Sequence, residues 1–487
     1  MRALPAPPPA PAASPAPVAV LVLAAGLGVA LSAVVATGPA ILDGRWSILG
    51  QLGLWGVAWG VGVAAALRLP ARVVLPVVLG AGLALRIVAL AGSPPTSDDL
   101  FRYAWDARVQ AAGINPYRYE PEADELAGLR EPWLWPGAAD CDDIDRPPGC
   151  TRINRPAEPT IYPPLAQTWF AAVAAIAPDG ARHTPWKVAG LVTEAGVLAL
   201  VPVALRRWGG DRRWCALYAL CPAPVLEFVH NGHVDGLAVL LVVGALVVLA
   251  PPASGRDRIP TPWRQVAAGA LIGAGAMVKL YPAVLVLALA GVAGSRRLPV
   301  LARAGAGAAA VAALAYLPHV LAVGWRVLGF LPGYLVEEDY ADGGRFLVAS
   351  ALGLPPVVAG AVSAVAVVAV GAWVLARRPA PPAGAAWLLG AGLLAASPVQ
   401  PWYAVTLLAV ATVAARPRWV AVLVAGYPYY FAVILDHPHT VALGRLGYGA
   451  ALVVVVAAAL RQRRVSRAPV PAPPASGPPA RPVAAGG

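Results

Sequence analysis

Charge is scarce in this chain, and acid is scarcest. Its 487 residues include 25 Asp and Glu against 37 Lys and Arg, and charged side chains make up only 13% of the total. With 59% hydrophobic residues and a mean hydropathy of +0.66, this composition excludes a soluble globular domain of such length. No Gly-rich phosphate loop is present, so a soluble nucleotide-binding domain is not expected. There are four cysteines. Cys215 and Cys221 fall in an apolar run and read as small core residues. Cys141 and Cys150 flank an acidic, Pro-containing loop. They are a candidate disulfide if that loop lies outside the cytoplasm, and a pair of free thiols otherwise.

What remains is a series of apolar runs, many approaching the roughly 20 residues a helix needs to cross a bilayer. Short alternating strands, the signature of a membrane β-barrel, are not seen. The predicted class is an all-α polytopic membrane protein. The predicted spans are 18–42, 48–67, 72–92, 187–205, 214–229, 234–250, 265–277, 281–295, 299–323, 346–375, 384–397, 402–415, 419–435 and 441–460, about 14 crossings. The net charge of +12 could suggest nucleic acid. The cations, however, sit in the connections 68–72, 206–213, 256–264, 296–303, 377–378, 416–418 and 461–467, which fall on one side when the N-terminus is inside. A nucleic-acid partner is therefore not expected. This alternation requires the run 161–178 to be a re-entrant or interfacial helix started by Pro163 and Pro164, and the run 265–295 to cross twice with a break at Lys279-Leu-Tyr-Pro282. The first run shows no A-x-A cleavage site and is long enough to anchor. Residues 1–17 and the Pro/Ala-rich end of 461–487 read as disordered tails.

The opposite side collects the unusual polar residues. Asp98 and Asp99 stand where the third apolar run ends, at the start of a connection over residues 93–186. Paired acids there could simply begin an interfacial helix, where the helix dipole favours them. They could also serve as a general base, or as a metal and phosphate clamp, facing a lipid-borne substrate. Asp99, Arg102 and Asp106 share one helix face, so Arg102 either contacts substrate or braces that helix against Asp106. His230-Asn-Gly-His233 with Asp235 forms a tight polar turn. It reads as hydrogen bonding to a sugar or phosphate, as a plain interhelical turn, or as a metal site of unusual spacing. Glu227 lies inside an apolar run, which marks it as a functional candidate. Lys279 and Arg345 are candidate phosphate ligands, and snorkelling is the alternative for Lys279. Gln400, Trp402 and Tyr403 offer polar edges and aromatic faces at the interface. Asp436, His437 and His439 support no definite role.

The D-x(7)-D-A pattern from Asp98, the G-x-N-P-Y stretch from Gly113 to Tyr117, Ile161-Tyr-Pro-Pro-Leu165 and Lys279-Leu-Tyr-Pro282 occur in an order that resembles polyprenol-phosphate-mannose-dependent mannosyltransferases of bacteria. The same elements are similar to those of the catalytic subunit of GPI mannosyltransferase I. The resemblance runs over about residues 72–410 and leaves the first two spans (18–71) outside, as an N-terminal addition to a membrane domain of 72–460. It implies the GT-C fold, with a large first extracytoplasmic loop carrying the catalytic acids Asp98 and Asp99. The family's D-x-D acidic pair is D-D here, so the division of labour between the two is open, as is any divalent cation. It further implies an inverting transfer of a hexose from a polyprenyl-phosphate sugar donor to a lipid, glycan, glycolipid or protein acceptor. The place would be the extracytoplasmic face of the inner (plasma) membrane. Tyr162, Tyr281, His230, His233, Asp235, Lys279, Arg345, Gln400, Tyr403 and Arg102 are then the candidate donor and substrate ligands. A transporter or a flippase for lipid-linked sugars is the competing class, since it too needs intramembrane charges and broken helices.

Overall fold

The structure is a computed structural model of the full chain, and it describes residues 15–138, 141, 149–251, 260–292, 297–340 and 345–467. The N-terminal tail up to residue 14, the acidic loop 142–148, residues 256–259 of the basic connection 256–264, Arg296, Asp342 and the C-terminal Pro/Ala tail lie outside these. The fold is all-helical: 74% helix, with no strand among the described residues.

Helices α1 (Pro15–Thr37), α2 (Arg45–Ala66) and α3 (Ala71–Val88) come first, followed by α4 (Asp99–Ala111) and α5 (Pro164–Ala175) in the long connection. Then come α6 (Thr184–Arg207), α7 (Asp235–Leu249), α8 (Pro262–Ala276), α9 (Arg297–Val323) and the short α10 (Leu331–Glu337). The series closes with α11 (Pro356–Arg377), α12 (Pro381–Ala395), α13 (Pro401–Val413), α14 (Val420–Ile434) and α15 (Thr440–Arg467). Many begin with Pro in the first turn (α5, α6, α8, α11, α12 and α13), where the missing N–H has no helical partner in any case. Among the described residues, seven helices are long and apolar enough to cross a membrane; α7, α12, α13 and the 3-10 helix Tyr281–Val292 are apolar but shorter. Large apolar side chains stand outward on these helices, for example Leu321 at 78% and Val357 at 79% exposure, as a lipid-facing surface requires.

Several predicted spans differ in kind from regular helices. Residues 214–229 are a helix over Cys215–Ala219, a turn of helix over Pro222–Pro224, and a π-helix over Val225–His230. Pro222 and Pro224 break the ladder there. The second half of 265–295 is the 3-10 helix Tyr281–Val292. The span 346–375 is interrupted at Pro355–Pro356, so α11 starts ten residues later than the hydropathy suggests. Helix α5 has 12 residues, about 18 Å at 1.5 Å each, too short to cross.

Small residues let the bundle close up. A Cβ on Gly269 of α8 would lie 2.0 Å from the Ala304 carbonyl of α9, and one on Gly307 of α9 would lie 2.2 Å from Val266 O. Backbone-to-backbone approach of this kind is how helices associate where apolar burial gives no drive. Inside the bundle Arg86 of α3 and Glu194 of α6 form a fully buried ion pair, Nη2 to Oε2 2.7 Å. Tyr218 OH completes it by donating to Glu194 Oε1 at 2.6 Å, and Arg86 Nη1 donates to Gly82 O and Ala219 O. A second, smaller core seats the long connection on the bundle: Leu100, Tyr103, Trp105, Ile153, Tyr162 and Phe170 pack with Trp186, Val234 and Val278. A disulfide joins Cys141 and Cys150, with Cα atoms 5.8 Å apart.

Candidate active site

The acidic pair is fixed from both sides along the chain. Past the end of α3, the carbonyls of Ala91 and Gly92 accept from the buried Lys187 Nζ at 2.8 and 2.9 Å. Thr96 is then clamped: its N–H donates to Asn231 Oδ1, its Oγ1 accepts from Asn231 Nδ2 at 2.8 Å, and its carbonyl accepts from Tyr430 OH at 2.6 Å. Asp98 caps α4 and Asp99 is its first residue, so both carboxylates stand at the positive end of the helix dipole.

The loop before α5 supplies the next wall. Asn154 Nδ2 donates to Asp99 Oδ1 at 2.6 Å and to Asp98 Oδ1 at 3.2 Å. Tyr162 OH donates to Asp99 Oδ2 at 3.1 Å. The G-x-N-P-Y turn holds this tyrosine in place. Asn115 Oδ1 accepts from Tyr117 N, and Tyr117 OH donates to Tyr162 O at 2.7 Å. Arg102 and Asp106 brace the same loop. Arg102 Nε donates to Asp106 Oδ1 at 3.0 Å, and its other nitrogens donate to the carbonyls of Arg155 and Glu158. Asp106 Oδ2 accepts from Thr160 Oγ1 and Gln167 Nε2.

The third wall comes from the π-helix and the turn after it. A π-helix places an extra residue in the turn and is common at functional sites. Here it holds Glu227, whose carboxylate accepts from Tyr427 OH at 2.8 Å and Asn231 Nδ2 at 3.2 Å. Gly232 has φ +72°, and a Cβ there would meet Leu100 Cδ1 at 2.7 Å, so glycine alone lets the turn pass beneath α4. The turn delivers His233 between two carboxylates: Nδ1 is 3.4 Å from Asp99 Oδ2 and Nε2 is 3.5 Å from Glu227 Oε2. Its ring stacks on Trp402, centroids 4.0 Å apart. His230 turns the other way, toward Ser32 on α1, with Nε2 3.5 Å from Oγ. The two histidines of the turn therefore do not converge.

The break after α8 forms the fourth wall. Its freed carbonyl, Met277 O, accepts from Leu165 N at 3.0 Å and Ala166 N at 3.2 Å, which joins the end of α8 to the start of α5. Lys279 Nζ, two residues on, lies 5.0 Å from the ring centre of Tyr162, 5.1 Å from that of Tyr403 and 3.6 Å from Asp235 Oδ2. Tyr281 bonds to Thr406 Oγ1 at 2.5 Å.

These walls enclose a cavity of about 1600 Å³. Asp98, Asp99, Arg102, Tyr162, Lys279, Tyr281, Gln400, Trp402 and Tyr403 line it; His233, Glu227 and Asp235 stand behind that lining. Arg345 is set back too, its guanidinium bonded to the Glu338 carboxylate and 4.8 Å over the Tyr340 ring. At the mouth Arg155 pairs with Glu337 of α10. Burial alone would raise the Asp99 pKa. The nearby His233 ring, the charge of Lys279 and the Tyr162 hydroxyl outweigh it and hold the carboxyl below the ordinary range. Burial, reinforced by Asp99, pushes the Tyr162 phenol well above its usual value, so it stays a donor.

Sequence reading had no hold on Asn154, an unremarkable polar residue of a long loop, 55 positions from Asp99. Arg86 and Glu194 are opposite charges in two apolar runs, a usable sequence signal for a buried pair. Among the described residues no group of three or more His, Cys, Asp or Glu could hold a metal ion. The Asn154 amide nitrogen serves both Asp98 and Asp99.

Residues 160–398 match Glycosyltransferase family 87. The match starts just after Asn154 and takes in Tyr162, Glu227, His233, Asp235, Lys279 and Arg345; Asp98 and Asp99 precede it. No curated protein and no solved structure matches the chain. The family match, together with seven membrane-length helices among the described residues, supports a membrane glycosyltransferase.

Proposed function

We propose that the protein is a GT-C-type enzyme that moves a hexose, mannose by the sequence resemblance, from a polyprenyl-phosphate donor to a lipid, glycan or protein acceptor at the extracytoplasmic face. One observation carries the reading. Tyr162 ties an acidic pair to a cation across a single cavity, with its hydroxyl on Asp99 and its ring under Lys279.

In the proposed reaction the donor's phosphate sits by Lys279, and its sugar lies toward Asp99. The acceptor hydroxyl gives its proton to the acidic pair as its oxygen attacks C1 from the face opposite the phosphate. The C1–O bond breaks, its electrons leave with polyprenyl phosphate, and the anomeric centre inverts. Lys279 stabilises the charge that grows on the departing phosphate. Aromatic faces of Tyr162, Trp402 and Tyr403 suit the sugar's apolar edges.

The test is purified full-length protein with polyprenyl-phosphate mannose and, separately, with a nucleotide mannose, each in the presence of membrane lipid extract. Release of polyprenyl phosphate from the first and no turnover of the second are expected. Turnover of the nucleotide sugar alone would overturn the reading.

A further inference from the structure

His233 is buried, and neither ring nitrogen has an ordinary hydrogen bond. Each instead faces one carboxylate, Asp99 at 3.4 Å and Glu227 at 3.5 Å. Buried polar groups are nearly always satisfied, so two such nitrogens on one ring call for a reason. The distances sit just beyond a normal bond, and a movement of a few tenths of an ångström toward either side makes one.

The surroundings hold this arrangement. Trp402 stacks flat on the imidazole and fixes its plane. Tyr427 and Asn231 hold the Glu227 carboxylate, and Gly232 sets the turn that aims His233. Glu227 is fully buried and lies outside the cavity lining, so it contacts no substrate there. The charges around Asp99 keep its carboxyl a weak base, which needs an outlet for any proton it receives.

Resting on the glycosyl-transfer reading above, we propose that His233 is a positioning and relay residue, carrying the acceptor's proton from Asp99 to Glu227. The acceptor O–H bond breaks as its oxygen forms the new bond to C1, and the proton passes to Asp99. Asp99 then gives it to His233 Nδ1, while the hydrogen on His233 Nε2 passes to Glu227. Asp99 ends as a carboxylate, Glu227 as a carboxylic acid and His233 as the other neutral tautomer. The phosphate leaves with the electron pair of the C1–O bond. A later turn of the same path in reverse returns the proton to water through Asp99.

The experiment uses the full chain in lipid nanodiscs with polyprenyl-phosphate mannose and membrane lipid extract. It compares wild type, His233→Gln and Glu227→Gln under single-turnover conditions. Glutamine keeps volume and a donor at both positions but cannot pass a proton on. His233→Gln is expected to slow transfer about 100-fold with donor KM changed by no more than about threefold, and Glu227→Gln to slow it at least about 10-fold. In mixtures of light and heavy water the wild-type rate should fall along a curve, and that of Glu227→Gln along a straight line. Thermal unfolding checks that each variant is folded; should His233→Gln fail this check, the isotope curve of Glu227→Gln decides alone. Rates within about twofold of wild type, or curvature retained in Glu227→Gln, overturn the relay while leaving glycosyl transfer standing. No transfer by wild type overturns the transfer reading and the relay with it.

Discussion

Asn154 donates its side-chain amide to Asp99 at 2.6 Å, and the same nitrogen reaches Asp98 at 3.2 Å. Two adjacent carboxylates repel each other, and one amide between them offsets that repulsion without adding charge. Asn154→Ala should reduce transfer about 10- to 100-fold through loss of charge-assisted hydrogen bonds, with folding preserved. Asn154→Asp should be worse, because it adds a third negative group. Single-turnover rates of the two variants check the order; Asn154→Asp at or above Asn154→Ala would contradict it.

Lys279 is mostly buried at the cavity wall. It lies between two tyrosine rings and beside Asp235. Lys279→Met keeps the stem and removes the charge, so transfer should fall about 100-fold or more if the ammonium meets the developing phosphate charge. The loss should appear in the rate more than in donor KM. Lys279→Arg should recover part of it.

The acidity of Asp99 sets a pH signature. Its pKa is lowered in the folded protein, so it stays ionised below the roughly pH 4 at which a free aspartate protonates. Its contribution to stability is therefore present above about pH 4 and is lost as pH falls through the lowered value. The acid limb of activity should lie correspondingly low. Tyr162→Phe removes one donor that lowers this pKa, so the value rises and the acid limb moves toward neutrality. Rate against pH for both proteins, followed from neutrality down to below roughly pH 2, decides it.

Arg86 and Glu194 stand apart from the cavity and should matter for stability instead. Taking away one partner leaves an uncompensated charge among apolar helices, at a cost of about 3–5 kcal/mol. Glu194→Ala should therefore unfold at a clearly lower temperature. Replacing both with leucine and methionine of similar volume should recover much of the loss.

How much of this could be read beforehand depended on range. The bilayer imposes helix length and apolarity locally, so α1, α2, α3 and α6 fall where the hydrophobic runs place them. Proline chemistry is local too, and α5 begins at Pro164 as expected. The break near Lys279 was legible for the same reason, though its partner, the start of α5, lies more than 100 residues away. Contacts made only by the fold left no local trace. Asn154 and Tyr162 reach Asp99 across 55 and 63 residues, and Tyr427 reaches Glu227 across 200. The H-N-G-H turn looked like one site, but the π-helix and Gly232 send His230 to α1 and His233 to Asp99. Arg345 reads from sequence as a phosphate ligand because spacing alone does not show that Glu338, seven residues back, folds onto its guanidinium.

The most direct test is transfer from polyprenyl-phosphate mannose by purified wild type, Asp98→Asn and Asp99→Asn. Asparagine keeps the shape of each side chain and removes its charge. The account predicts that wild type transfers the sugar, and that Asp99→Asn, the variant that strips charge from the group shared by Asn154, Tyr162 and His233, loses at least about 100-fold while remaining folded. Full activity in both variants would contradict it.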